Sequence, residues 1–573
     1  MCGIAGSWGG DPERVERMIA AMHHRGPDAQ SVATHGEAHL GCARLAIRGG
    51  ERGAQPFEGK RGLLVFNGEI YNTAELVKDL ARHGVEVAGD SDTEVVGRLL
   101  DIYGIRAVDR LNGMFALAWS DGRSLYLTRD PAGIKPLYYV CSSRGNEFSS
   151  TIQPLLATGA TLDATAVARW LTFHVAYGPE TFFEGVLRVP AGGIVELPEG
   201  RILRRAAPGL SFSTPNPALT AERLRKVLER AIRDAAPDER YGVALSGGID
   251  STLVAALSPG DRIAFHGRVD HEGCDESAYA RAAARELGIP LVEVAVTAEA
   301  CWAALPKVVR HLEEPVAGPG SLAQFVVAER AAQDVRVLLS GCGGDELFGG
   351  YARAVALVRD TPPDELAAYE PLFARVRDLA SAERAYALLD RRPGALFTQD
   401  FLAAHPAPRD AFIEAFGDGE LDPLAAAARA ELHIVLPGLL QVDDRTTMAH
   451  SLESRVPLLD RRLLRAACRL APESRVAADG TAKALFREAA SPHLPRVVRE
   501  RRDKMGFPLP MGAWFAGPWR DGAREILLDR RTRERGFLDT ERAEKALSGH
   551  AHYDRGLYSA LLFALWTQTF LDG

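Results

Sequence analysis

Cysteine is scarce in this chain. Seven residues in 573 carry a thiol, at Cys2, Cys42, Cys141, Cys274, Cys301, Cys342 and Cys468, and no two form a C-x-x-C pair. An odd, widely spaced set excludes a disulfide-stapled scaffold and a cysteine zinc site. Long apolar runs are missing too: nothing approaches the ~18 uninterrupted apolar residues of a membrane span. The opening MCGIAGSWGGDPERVERM lacks the basic-then-apolar order of a secretion signal, so a cytoplasmic location is expected. Charge of one sign never accumulates in blocks, and 68 basic against 76 acidic residues leave a net −8. That balance weighs against a general nucleic-acid binder. There is no internal repeat and no low-complexity segment. With 46% hydrophobic and 25% charged residues, the composition is that of a globular protein, and the length predicts two or three domains.

The texture changes once along the chain. The first half reads as short strands and turns. RGLLVFNGEIYN is an apolar run ending in Asn-Gly, and MFALAWSDGRSLYLTRD is two runs around Asp-Gly, a hairpin signal. ERVERMIAAM and AELVKDLARHG have helical spacing, the second closed by Gly. The β-rich texture persists through FFEGVLRVPAGGIVELPEGRILRRA to residue 207, and the Pro- and Ser-rich stretch 208–220 reads as a linker. Beyond it, apolar strands (RYGVALS, RIAFHGRV, PLVEVAV, VRVLLSG) alternate with helices (ERLRKVLERAIRDAA, STLVAAL, DESAYARAAARELG, AQFVVAERAAQ). This predicts a parallel sheet covered by helices on both faces. From about residue 360 the chain is rich in Ala, Leu and Arg and reads as helical.

A cysteine in second position acquires chemistry if Met1 is removed. Cys2 then carries a thiol and an α-amine that titrates near ~7.7–8 and can serve as its base. Behind it follow HRGPD (24–28), RLAI (44–47), NGEIYN (67–72), SDTE (91–94) and RDPAGIKPLYY (129–139). With these motifs in this order, the first 200 residues resemble the class II glutamine amidotransferases. The resemblance implies an α+β N-terminal-nucleophile hydrolase, a four-layer αββα sandwich. It implies Cys2 as nucleophile on the glutamine side-chain amide, and the Asn67 side chain with the Gly68 N–H as oxyanion hole. Around them Arg44, Leu45, Ala46 and Ile47 would border the bound glutamine, Arg44 meeting its α-carboxylate. Asp92 and the backbone near Glu69 would hold its α-ammonium.

In the second half, Leu245-Ser-Gly-Gly-Ile-Asp-Ser251 stands between a strand and a helix. A glycine loop at a helix N-terminus suits pyrophosphate, and G-x-x-x-x-G-K-[ST] is absent, which excludes the P-loop NTPases. S-G-G-x-D-S resembles the ATP-pyrophosphatases, which cleave between the α- and β-phosphates of ATP. The resemblance implies an α/β Rossmann-like domain with a helical C-terminal part. Its ATP contacts would be Leu245, Ser246, Gly247, Gly248, Asp250, Ser251, His266, Ser340, Gly341 and Lys483, and its Mg²⁺ ligands Asp250 and Asp345. The stretches 436–460, GTAKALFRE and RRDKMGFPLPMGAWF extend the resemblance to the glutamine-hydrolysing asparagine synthetases, over nearly the whole chain and weakest at 360–425.

The expectation is a two-site enzyme: residues 1–207 a glutaminase, 208–220 a linker, 221–573 an ATP-dependent synthetase. Glutamine-derived ammonia passes through an internal channel to an acyl-adenylate, by default that of aspartate. Two departures keep the acceptor open. Cys342 stands where many relatives have a carboxylate, and HLEEPVAGPGS (311–321) is rich in Gly and Pro. Cys342 and Asp345 are thus the acceptor-site candidates, and amidation of another carboxylic acid is the alternative. A non-enzymatic glutamine or nucleotide sensor is a remote third reading. Partners are small molecules (glutamine, ATP, the acid), with neither nucleic acid nor membrane expected. A homodimer is compatible with the sequence, which leaves the oligomeric state open. For Asp444, Arg445, Glu453 and Arg455 the sequence does not separate substrate contact from ion-pair scaffolding.

Overall fold

The computed structural model describes all residues except 88, 90, 143, 144, 158, 176, 213–215, 217, 317, 392–395, 417–420, 502–505, 507, 549–554 and 573. Parts of the 208–220 linker, of HLEEPVAGPGS and of RRDKMGFPLPMGAWF therefore lie outside the described residues. The chain forms two compact units. The first comprises Met1–Ala160, Gly178–Ser211 and Thr447–Arg455; the second comprises Thr161–Tyr177, Phe212–Thr446 and Val456–Gly573.

In the first unit the strands are β1 (Cys2–Trp8), β2 (Ala29–His35), β3 (Ala38–Arg44), β4 (Phe57–Glu58), β5 (Leu63–Ile70), β6 (Gly113–Ser120), β7 (Leu125–Arg129), β8 (Tyr138–Ser142), β9 (Gly145–Ser149), β10 (Leu187–Arg188), β11 (Ile194–Leu197) and β12 (Arg201–Arg204). They build two six-stranded sheets, ordered β10-β8-β9-β1-β3-β2 and β12-β11-β7-β6-β5-β4. The expected hairpin around Asp-Gly is β6–β7. Period-two alternation sends Cys2 and Ile4, Leu40 and Cys42 to one face of the first sheet. There they meet Leu63 and Val65 of β5 and Ala116 and Ala118 of β6 in one buried apolar cluster.

The opposite faces carry helices. On the first sheet α1 (Pro12–Ala21), N-capped by Asp11, packs Val15 and Ile19 over Gly41. A Cβ at Gly41 would lie 2.6 Å from Ile19, so only glycine lets the helix approach this closely. On the second sheet Leu64, Phe66, Phe115 and Leu117 meet Leu76 and Leu80 of α2 (Thr73–Arg82) and Val95, Val96 and Leu99 of α3 (Asp92–Tyr103).

The second unit opens with α4 (Ala164–Phe173) and α5 (Ala221–Ala235), then alternates β13 (Tyr241–Ala244), α6 (Ile249–Leu257), β14 (Arg262–Arg268), α7 (Ser277–Leu287), β15 (Leu291–Ala295), α8 (Ala298–Leu312), α9 (Gly320–Ala331) and β16 (Val337–Leu339). The strands lie parallel in the order β15-β14-β13-β16. The chain winds outward from β13 to β15 and then returns to β13's other side. That reversal opens a crevice at the carboxyl ends of β13 and β16, where open parallel sheets take ligands. Short helices from Ala352 onward pack around Val355, Phe373, Leu388, Leu424 and Ile434. One helical stretch, Pro423–Met448, is long and apolar enough to cross a membrane by length and composition. It also carries Arg445, ion-paired to Glu313 at 2.9 Å with both side chains buried.

Candidate active site

At the start of β1, three strands bring polar groups to one buried spot. Alternation along β5 puts Asn67 on the same face as Leu63 and Val65, towards Cys2. Asn67 is buried, its Oδ1 accepts the Cys2 N–H at 3.0 Å, and its Nδ2 makes no hydrogen bond. An orphan buried amide donor beside a sulfur is costly unless something else takes that bond. Gly68 is followed by two more strand residues paired with β6; the apolar run does not end at Asn-Gly. The carbonyl of Met114 leaves no room for a side chain at Gly68.

Around this spot runs a chain of alternating charges. The terminal ammonium of Met1 lies 2.9 Å from Glu453, Glu453 lies 2.6 Å from Arg455, and Arg455 lies 3.2 Å from Glu69. Arg48 then reaches Glu69 at 3.0 Å and Asp92 at 3.4 Å. Burial opposes the charge on Glu453, but the ammonium, Arg455 and Lys135 outweigh it and hold its pKa at about 2. For Asp92 the balance reverses: burial, joined by the charge of Glu69, pushes it well above the usual carboxylate range. Arg44 has no acidic partner among the described residues, and its guanidinium rests on the carbonyls of Arg48 and Gly50. Leu45 donates its N–H to the Met1 carbonyl at 3.0 Å, Ala46 donates to Asp28 at 2.7 Å, and Ile47 is half-buried.

In the second unit the crevice holds three charged side chains. Lys483 Nζ lies 2.6 Å from Asp250 and 2.7 Å from Asp345. Asp250 stands in the first turn of α6 and Asp345 follows the loop after β16. Burial opposes the charge on Lys483, but the two carboxylates prevail and raise its pKa. The packing has no slack. A Cβ at Gly341 would sit 2.7 Å from the Ser251 nitrogen; one at Gly344 would collide with Asp250, and one at Gly350 with Asp345 and Lys483. Gly248 caps α6 without a side-chain bond, so no capping side chain covers the start of the helix. Gly247 adopts φ +71°, and Ser246 and Ser251 share a hydrogen bond of 3.0 Å.

Cys342 is half-buried beside these groups. Burial and the charges of Asp443, Glu346, Asp345 and Asp250 push its thiol well above its ordinary pKa, so it is neutral. Ser340 donates to Asp443 at 3.4 Å and accepts the Cys342 N–H. His266 is buried as a brace: one ring nitrogen meets the Leu245 carbonyl at 2.9 Å and the other Ser277 at 3.1 Å. Asp250 and Asp345 converge on one point, now held by Lys483 Nζ, and could share one divalent cation. Among the described residues no group of three or more His, Cys, Asp or Glu could hold a metal ion. A donor set of two carboxylates suits Mg²⁺ brought with phosphates.

Residues 223–568 match the family model for asparagine synthase, and residues 1–206 the model for a glutamine amidotransferase domain. The chain belongs to the glutamine-hydrolysing asparagine synthetase family. It is 30% identical to asparagine synthetase [glutamine-hydrolyzing] 1 of Bacillus subtilis, over 99% of this chain and 96% of that one. To asparagine synthetase [glutamine-hydrolyzing] 3 of the same organism it is 29% identical over 94% of each chain. To the amidase chry2 of Gibberella zeae it is 27% identical, over 95% of this chain and 92% of that one. As a family member it is a glutamine-hydrolysing ligase that makes an amide with ATP as substrate.

Of the family's dense 436–460 motif, Glu453 and Arg455 belong to the first unit and act as ion-pair scaffold beside Cys2, whereas Arg445 pairs with Glu313 in the second. Reading the sequence missed Arg48, whose place directly after RLAI was the available signal. It also missed Gln55, whose Nε2 lies 3.7 Å from the Cys2 sulfur, and Asp443, for which nothing local pointed to Ser340.

Proposed function

We propose that the chain hydrolyses glutamine at Cys2 and uses the ammonia to convert aspartate to asparagine, with ATP cleaved to AMP and pyrophosphate. In the first unit the Cys2 sulfur attacks the side-chain carbonyl of glutamine. Asn67 Nδ2 and the Gly68 N–H take the negative charge that develops on its oxygen, leaving glutamate after water releases the acyl group. Arg44, with no acidic partner among the described residues, receives the α-carboxylate, and Glu69 and Asp92 receive the α-ammonium. Support for an αββα N-terminal-nucleophile hydrolase comes from two sheets sharing one apolar cluster, with α1 outside one sheet and α2 and α3 outside the other.

In the second unit the loop 246–248 and the first turn of α6 cradle the phosphates, and Lys483 offsets their charge. Asp250 and Asp345 would hold Mg²⁺, which when bound neutralises charge on the pyrophosphate. The side-chain carboxylate of aspartate attacks the α-phosphorus and pyrophosphate leaves. Ammonia then attacks the acyl carbon, expelling AMP and losing a proton. Ammonia exposed to water would be protonated and useless as a nucleophile, the physical reason for joining both reactions in one chain. The glutaminase half is residues 1–207, the linker 208–220 and the synthetase half 221–573, working on small molecules in the cytoplasm.

The observation that carries this reading is the convergence of Asp250, Asp345 and Lys483 in the crevice beside β13 and β16. The test is product identification by mass spectrometry with glutamine, Mg-ATP and a panel of carboxylic acids. Aspartate-dependent AMP and asparagine are expected. AMP that depends on a different acid would replace aspartate as the acceptor, an outcome to which the neutral Cys342 draws attention. No AMP with any acid would favour a sensor.

A further inference from the structure

Arg501, first residue of RRDKMGFPLPMGAWF, has no part in the mechanism above, yet its side chain reaches the backbone of the glycine loop. Its Nη1 donates to the Gly247 carbonyl at 3.3 Å, and its Nη2 pairs with Glu276. The guanidinium lies over the Tyr279 ring, 3.8 Å from its centre. The side chains of Arg501 and Glu276 are 4% and 9% exposed, so this pair is held inside the protein rather than solvated on its surface.

Glu276 and Tyr279 stand at the start of α7, where the Glu276 carbonyl accepts the N–H groups of Tyr279 and Ala280. The same turn lies against the loop. A Cβ at Gly247, whose φ is +71°, would sit 2.6 Å from the Tyr279 Cβ and 2.8 Å from the Ala280 nitrogen. Ser277, in the same turn, meets one ring nitrogen of His266 at 3.1 Å, and the other meets the Leu245 carbonyl at 2.9 Å. The carbonyls on either side of Ser246 are therefore each tied to the start of α7, one through His266 and one through Arg501. In a planar trans peptide the N–H points away from the carbonyl. Fixing the Gly247 carbonyl thus also aims the Gly248 N–H, which donates to the Ser246 hydroxyl at 3.3 Å.

We propose that Arg501 is a positioning residue of the synthetase half: held by Glu276 and Tyr279, it sets the Gly247–Gly248 peptide and so the shape of loop 246–248. This rests on the reading of that loop as a phosphate cradle. An arginine that only neutralised Glu276 could give way to lysine. One that also orients the peptide needs its fork, because one nitrogen serves Glu276 while the other serves Gly247.

The test uses the full-length chain with Arg501→Lys and Arg501→Met, in ATP–pyrophosphate exchange with Mg-ATP and the acid panel. KM for pyrophosphate should rise about tenfold in both, the loss of one hydrogen bond from a charged donor, with kcat held within about threefold. A merely structural role gives the opposite split, since partial unfolding lowers the active fraction and kcat without moving KM. Arg501→Lys keeps the charge beside Glu276, so it separates positioning from folding should Arg501→Met not fold. An unchanged KM for pyrophosphate in Arg501→Lys, or a fall in kcat alone, overturns the role of Arg501. No exchange in the wild type with any acid of the panel would instead overturn the reading of loop 246–248, and this role with it.

Discussion

Replacing Lys483 by glutamine removes the ammonium that lies between Asp250 and Asp345. Each carboxylate has an oxygen within 2.7 Å of the same nitrogen, which puts those oxygens no more than about 5 Å apart. Two unit charges at that separation repel by about 3 kcal/mol at an effective dielectric of ~20. The Asp345 side chain is 41% exposed, so solvent screening reduces the figure to about 1–2 kcal/mol. On the proposed reading, losing the lysine also uncovers charge on the phosphates. Stripping one partner from a buried pair typically costs ~3–5 kcal/mol, and a loss of that size from the transition state would slow the step by ~10²–10⁴-fold. ATP–pyrophosphate exchange with aspartate and Mg-ATP should fall by that factor in Lys483→Gln, while glutaminase stays within about twofold. Added Mg²⁺ should raise the melting temperature of the variant more than that of the wild type, because the cation replaces the missing charge. Lys483→Arg should not rescue exchange: even a Cβ at Gly350 would collide with Asp345 and Lys483, so a broader guanidinium has no room. Exchange within threefold of wild type in Lys483→Gln, or glutaminase lost in parallel, would refute the assignment.

Cys2→Ala should abolish glutaminase yet keep asparagine formation from added ammonia, measured by mass spectrometry; a folded variant that also loses ammonia-dependent synthesis would contradict two separate sites. Asn67→Ala removes the orphan donor and should cost ~10²–10³ in glutaminase kcat with KM nearly unchanged, read by steady-state glutamate release. With Met1 in place, Glu453 has a folded pKa of about 2, depressed below its unfolded value. Its contribution of about 3 kcal/mol is therefore complete above roughly pH 5 and is lost as pH falls towards 2. The difference in melting temperature between wild type and Glu453→Gln should accordingly be constant at neutral pH and shrink below pH 4.5.

The alternating second unit was legible in the sequence because its signals are local. Buried parallel strands are apolar runs, and their helices carry 3.6-residue spacing with caps such as Thr220 before α5. Helix α8 was not read, and Pro306 inside it is an ordinary reason to break a helical pattern. At Asn67-Gly68 the dipeptide suggests a turn, but β6 continues the pairing to Gly113 opposite Ile70, so tertiary pairing overrides turn preference. The charge chain was out of reach for a different reason. Glu453 meets the Met1 ammonium 452 residues away, and no window along the sequence carries that pairing. Lys483 could be singled out only by its motif; its left-handed φ of 56°, a conformation a lysine adopts only where its surroundings hold it, became visible only in the fold.

The two candidate sites differ in how their charges balance, and the difference bears on how they would work. Beside Cys2 the sequence Glu453–Arg455–Glu69–Arg48–Asp92 alternates in sign, so these side chains pair with one another inside the protein. On the proposed reading, Arg44 and the Glu69–Asp92 pair meet the opposite ends of glutamine. Such a site stabilises a developing oxyanion without reorganising. In the crevice, Asp250, Asp345, Asp443 and Glu346 all push up the Cys342 thiol, and Lys483 pairs with the first two. On the proposed reading, a cation bound with the phosphates would lessen the repulsion that an incoming acid meets from these carboxylates. The neutrality of Cys342 follows from the same imbalance. A carboxylate in its place would be a fifth negative group in that neighbourhood, tolerable only beside an acceptor that brings positive charge of its own, as the α-ammonium of aspartate does.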